Sequence, residues 1–299
     1  MSGVECTMMK RRILIKLMGL GLIIPPLFWK TKNYMNTNQN TKELMPLLFI
    51  GHGSPLNAID NNEFTQILSR LGQKLPRPRA ILCISAHWMT RGSWITEMES
   101  PKTIHDFYGF PQELFNVQYP APGSPELAQT IKKEIIDPNI HGDTIEWGLD
   151  HGTWSVLKHV YPNADIPILQ LSLDMTKDSP YHFKLGEKIR FLREQGVLIV
   201  GSGDIVHNLK TMNRDKKAAP HPWAKEFDEW TLEKIKNKDF SPLVHDVMKH
   251  PGAAMSIPTW DHYYPLLYVL GASTNNDKLE VIYEGIHHSS ISMTTFTLG

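Results

Sequence analysis

Apolar residues along this chain gather into short unbroken runs. Met45-Pro46-Leu47-Leu48-Phe49-Ile50 stops at Gly51-His52-Gly53, and Ala80-Ile81-Leu82-Cys83-Ile84 stops at Ser85-Ala86-His87. Runs without alternation predict strands covered on both faces, whose side chains meet a helix layer above and another below. Between them, residues 61–71 carry Phe64, Ile67, Leu68 and Leu71 at helical spacing behind an Asp60/Asn61 cap, and Pro76 and Pro78 end the helix. Further helices are predicted over 125–136, 150–161, 180–195 (closed by Gly196), 222–238 and 241–249, with another from 258 onward whose first turn carries His262. Strands are predicted over 93–98, 144–147, 166–173, 197–200, 278–283 and 289–298. Such alternation predicts an α/β fold, a single domain with a central mixed sheet and helices on both faces. Residues 101–125, rich in Pro and aromatic side chains, predict a long functional loop that walls a pocket.

The amino-terminal region breaks this pattern. Lys10-Arg11-Arg12-Ile13-Leu14-Ile15-Lys16 precedes an apolar run from Leu17 to Trp29 that is short and interrupted by Pro25 and Pro26. A paired arginine ahead of an apolar stretch resembles a twin-arginine export signal. Residues 1–44 are therefore expected to form a signal-like segment and linker, and 45–299 the catalytic domain. A periplasmic location follows, or a cytoplasmic one if the segment is unused. No stable membrane span is expected, because the run is too short and Pro-broken.

Composition narrows the function. The 299 residues hold 31 Lys plus Arg and 31 Asp plus Glu, a balance that disfavours a nucleic-acid partner and suits a small molecule. Two cysteines, Cys6 and Cys83, exclude a disulfide framework and a cysteine-based zinc site, and Cys83 reads as a buried strand residue. Fourteen histidines are many for this length, and neutral imidazole is the commonest metal ligand. Three of them, His52, His87 and His207, follow predicted strands, where open α/β sheets bind their ligands. Together with His262 they can meet at one sheet edge, and three imidazoles suit Zn(II) or Fe(II) while leaving positions open for substrate.

The motifs Gly51-His52-Gly53-Ser54-Pro55, Ser85-Ala86-His87-Trp88, Ile104-His105-Asp106-Phe107-Tyr108-Gly109-Phe110-Pro111, Tyr119-Pro120-Ala121-Pro122-Gly123, Asp150-His151-Gly152, Val206-His207-Asn208-Leu209 and His262-Tyr263-Tyr264-Pro265-Leu266 together resemble the DOPA extradiol dioxygenase family, a branch of the class III extradiol ring-cleaving dioxygenases. The resemblance runs from about residue 45 to the carboxyl terminus. It implies one divalent metal ion, Zn(II) or Fe(II), bound by His52, His87 and His262. It also implies a catechol substrate cleaved with dioxygen as co-substrate to a semialdehyde acid. His207 is implied as acid/base catalyst or fourth ligand, and His151 as a second proton donor. Asp261 offers a carboxylate beside His262 of the kind that wider relatives use.

Other residues take plainer expectations. His105 reads as a substrate contact or a loop-packing residue. Trp88, Phe107, Tyr108, Phe110 and Trp154 read as core or pocket wall, and His159, His182, His245 and His250 as helix-surface residues. His287-His288 carries no assigned role, and no Arg or Lys within the motifs marks a carboxylate pocket. Two other functions compete on the same histidines: a zinc-dependent hydrolase and a non-catalytic metal-binding protein.

Overall fold

The computed structural model describes residues 44–299. The signal-like segment and linker expected over 1–44 lie, apart from Leu44, outside the described residues. In chain order the principal elements are β1 (Leu47–Gly51), α1 (Glu63–Lys74), β2 (Ala80–Ser85), α2 (Pro125–Glu134), α3 (His151–Val160), β3 (Ile168–Gln170), α4 (Ser179–Ile189), β4 (Val197–Gly203), α5 (Pro222–Lys236), α6 (Tyr264–Ala272), β5 (Leu279–Tyr283) and β6 (Thr295–Leu298). The central sheet has six strands in the order β3-β2-β4-β1-β6-β5. The first four are mutually parallel, while β6 is antiparallel to both neighbours.

The unbroken apolar runs divide between two cores. Leu47, Phe49, Leu82, Ile84 and Ile199 face one way, onto α2, α4, α5 and α6. Leu48, Ile50, Ile81, Cys83, Leu198 and Val200 face the other, onto α1 and α3. Successive strand side chains point to opposite faces, so a strand buried on both faces must be apolar at every position. Each such side chain removed from water contributes about 1.5–3 kcal/mol.

Local chemistry moves several predicted boundaries. The cap of α1 is Asn62, whose side chain accepts from the Thr65 N–H while the Thr65 hydroxyl accepts from the Asn62 N–H. The strand expected over 144–147 is a turn, because the Asp143 carboxylate accepts the backbone N–H groups of Ile145, Glu146 and Trp147. The strand lies earlier, at Ile140–Asp143, and pairs with Ser93–Thr96 in a two-stranded sheet outside the central one. The run over 166–173 divides between β3 and Leu173–Asp174, which pairs with Met89–Thr90. The helix expected over 180–195 is α4 followed by a 3-10 turn, Arg190–Gln195, closed by left-handed Gly196. The stretch 289–298 breaks into Ile291–Ser292 and β6.

Two burial expectations are corrected. His182 is buried, its ring stacked 3.9 Å from that of Tyr264 and its Nδ1 3.1 Å from the Tyr268 hydroxyl, because the face of α4 that carries it packs on α6. Tyr108 is 91 % exposed and belongs to neither core nor pocket wall. Among the described residues no helix is long and apolar enough to cross a membrane.

Candidate active site

The carboxyl ends of β1, β2 and β4 deliver His52, His87 and the segment Asp204–His207 to one edge of the sheet. His151 opens α3, whose cap Asp150 accepts from the Thr153 N–H and from the Ser85 hydroxyl, tying that helix to the end of β2. Gly152 permits this approach. A Cβ there would lie 2.5 Å from Ser85 Oγ and 2.9 Å from a ring carbon of His87. Gly53 has φ 58°, a conformation that suits glycine, as the loop turns away from His52. His262 sits in the turn just before α6 and not in its first helical turn; the Asp204 N–H donates to its carbonyl at 2.9 Å.

The five histidines converge. Ring centroids of His52 lie 5.0 Å from His87, 5.8 Å from His151 and 5.2 Å from His262. His207 stacks on His262 at 3.4 Å, with planes 6° apart. His105 is not brought to this cluster. Its Nε2 meets the Val117 carbonyl at 2.9 Å, and it packs among Phe107, Phe115 and Trp154 behind the cavity wall.

Hydrogen bonds determine which nitrogens are free. The Ser202 hydroxyl donates to the Gly152 carbonyl at 2.5 Å, so its oxygen can only accept from His52 Nδ1, 3.1 Å away. His52 therefore carries its proton on Nδ1 and presents a bare Nε2. Asp261 Oδ2 accepts from His262 Nδ1 at 2.5 Å, which likewise leaves Nε2 bare. Asp106 Oδ2 lies 2.9 Å from His151 Nδ1 and 3.6 Å from His87 Nδ1, and Oδ1 accepts the His151 N–H at 2.9 Å. Carboxylates behind imidazoles in this way fix tautomer and ring orientation in metal centres.

The charge states match that arrangement. Burial, followed by repulsion from neighbouring imidazoles, pushes His52, His87 and His207 well below the usual histidine range and keeps them neutral. Burial drives Asp204 well above the usual carboxylate range. Asp106 is held low: burial opposes this, but the hydrogen bonds and charge of His151 outweigh it.

A metal ion fits these donors. His52 Nε2 lies 3.1 Å from His87 Nε2, a contact that is met either by a proton on the His87 nitrogen or, with that proton lost, by a cation beside both. Asp204 Oδ2, buried and without a hydrogen-bond partner, lies 3.7 Å from His52 Nε2 and 4.0 Å from His262 Nε2. Ligands about 2.0–2.2 Å from one ion are separated by roughly 3–4 Å, which these spacings satisfy. Among the described residues two sets of three can converge on an ion, His52–His87–His151 and His52–Asp204–His262, and His52 belongs to both.

All five histidines line one cavity of about 480 Å³, with Phe107, Phe110, Leu209 and Met293 among its apolar walls. That volume suits a small aromatic ligand. Asp106, Ser202 and Asp204 were not expected as site residues. Asp106 and Asp204 lie within or beside histidine motifs, where a carboxylate next to a predicted ligand was the available signal. Nothing in the sequence marks Ser202.

The chain is 45% identical over 258 residues to a protein named 4,5-DOPA dioxygenase extradiol from Escherichia coli (strain K12), covering 85% of this chain and 95% of that one. It is 37% identical to the protein of the same name from Beta vulgaris, over 83% of this chain and 93% of that one. The crystal structure of an uncharacterized protein from Escherichia coli K12 superposes with a TM-score of 0.75 at 41% identity, covering 85% of this chain and all of that one. Residues 47–299 match the family described as the catalytic LigB subunit of aromatic ring-opening dioxygenase, and to that family this chain belongs.

Proposed function

We propose that this protein is a metal-dependent extradiol dioxygenase that opens the ring of a DOPA-like catechol, with His52, which both sets share, His87 from one set and His262 from the other holding the ion. One observation carries the reading: bare imidazole nitrogens and an unpartnered buried carboxylate oxygen converge in a cavity of catechol size. A bound Fe(II) supplies a Lewis acid for the catechol oxygens and a redox partner for dioxygen. The chain's own residues handle protons and orientation. His207 is neutral and stands outside both sets of three, which supports a role as the base that takes a catechol proton. His151, held by the Asp106 carboxylate and 5.8 Å from His52 ring to ring, is suited to a role as proton donor to the reacting oxygen. The apolar walls exclude water from the reacting ring.

The test is anaerobic loading with Fe(II), addition of DOPA and simpler catechols, and admission of air. Oxygen uptake and a yellow ring-fission product are expected. His52→Ala should lose bound metal and at least about 10³-fold in turnover while its melting transition persists. No uptake across the catechol panel would sink the reading, and activity restored by Zn(II) alone on ester or amide substrates would favour a hydrolase.

The paired arginines also support export of the folded chain. Arg11→Lys with Arg12→Lys should shift the protein from periplasm to cytoplasm, and unchanged fractionation would refute that assignment.

A further inference from the structure

The cavity has a second end that the ring chemistry does not use. Among the described residues that line it, Lys216 is the single Lys, Arg, Asp or Glu. His287 and His288, the pair without a role in the sequence, line the same end. The Lys216 backbone is pinned there. The His288 N–H donates to the Lys216 carbonyl at 3.0 Å, the Asn213 N–H to the His288 carbonyl at 2.8 Å, and the His221 N–H to the Ser289 carbonyl at 2.9 Å. These bonds hold His288 and Ser289 at φ 53° and 67°, in the left-handed region that non-glycine residues seldom adopt. Such strain persists where surrounding structure enforces it, and it collects at ligand sites.

The ammonium is also tethered near the metal ligands. Lys216 Nζ donates to Asn57 Oδ1 at 3.3 Å, and buried Asn57 donates from Nδ2 to the His52 carbonyl at 3.0 Å. Asp60 Oδ2 lies 3.6 Å from Nζ on a half-exposed side chain that does not line the cavity. One of the three ammonium donors is left for a ligand. The charge reaches into the cavity: burial, followed by the Lys216 charge, pushes His287 down to about 4. Both imidazoles act as walls, because His287 is neutral and His288 directs Nδ1 to the Asn213 carbonyl at 2.9 Å.

Resting on the catechol reading above, we propose that Lys216 is a specificity-determining residue, the anion-binding end of the cavity, which selects catechols bearing a side-chain carboxylate. A cation facing an apolar, partly enclosed space attracts a carboxylate more strongly than one in open water, and it repels an amine.

Four catechols of similar size separate the terms: 3,4-dihydroxyphenylpropanoate, DOPA, dopamine and 4-ethylcatechol. For the Fe(II)-loaded full-length protein, Lys216→Met should raise KM for the two carboxylates by about three- to fivefold, the upper range for a partly exposed ion pair. KM for 4-ethylcatechol should stay within about twofold, and KM for dopamine should stay level or fall. Lys216→Arg should restore the preference, and added salt should weaken it in the wild type and in Lys216→Arg but leave Lys216→Met unchanged. An equal change for all four substrates would assign Lys216 a structural role through Asn57 and overturn the proposal, as would no change. Anaerobic calorimetric titration of the same compounds reads the subsite without turnover. Lys216-dependent binding of 3,4-dihydroxyphenylpropanoate with no oxygen uptake would overturn the dioxygenase reading and leave the subsite standing. Turnover without a Lys216-dependent preference would do the reverse.

Discussion

At the scale of single residues, a hydroxyl decides what an imidazole can do. His52 ends an apolar strand and stands out in the sequence only because His87 and His207 repeat that placement, and its usefulness depends on Ser202, 150 positions away. The Ser202 proton is committed to Gly152, so His52 Nδ1 must donate and Nε2 is left for a cation. Ser202→Ala should free the tautomer and weaken metal binding by about 10- to 100-fold, the usual cost of losing a group that orients a ligand. Chelator competition measures this, and unchanged affinity would mean that the ring is held by packing instead. Asp204 makes the same point from the other side. In the sequence it is one acid after Gly201-Ser202-Gly203, and only its burial and orphaned oxygen identify it as part of the site.

At the scale of elements, packing overrides period. The helical pattern of α4 was legible, yet His182 was expected on its surface because a histidine on a helix with charged neighbours is ordinarily solvated. Instead α4 lies against α6, and His182 stacks on Tyr264, two residues beyond His262. Burial lowers the His182 pKa from 6.5 to about 4. The unfolded chain therefore binds the extra proton first, and the stability present above pH 6.5 is lost as pH falls toward 4, by roughly 3 kcal/mol in all. His182→Phe removes that proton site and should flatten the decline. Calorimetric unfolding between pH 7 and pH 4 tests it, and identical slopes for variant and wild type would contradict it. The strand misplaced at 144–147 has a comparable cause, since apolar and β-branched residues suggest extension but Asp143 captures three backbone N–H groups and makes a turn.

At the scale of the whole molecule, a buried ion pair ties the first strand to the last part of the chain. Arg193 grips Asp277 through two 2.7 Å contacts and donates to the carbonyls of Met45 and Ala272. It thereby joins the approach to β1, the end of α6 and the approach to β5. Removing one partner strands a buried charge, at about 3–5 kcal/mol. Arg193→Met should lower the melting temperature by roughly 10 °C with kcat per folded molecule unchanged. A loss of kcat at full stability would place this pair in the mechanism instead.

The sequence by itself determined the layered α/β class and the strands that lead to His52, His87 and His207, because two-sided burial and turn chemistry are written locally. Its motifs also carried the family resemblance. Tertiary structure alone decided that five imidazoles share one cavity, that His105 is not among its lining, and that Lys216 and the His287-His288 pair line it too. The reason is physical: periodicity records which way a side chain faces relative to its own element, whereas a site depends on distances between elements, and those follow from how the two cores pack.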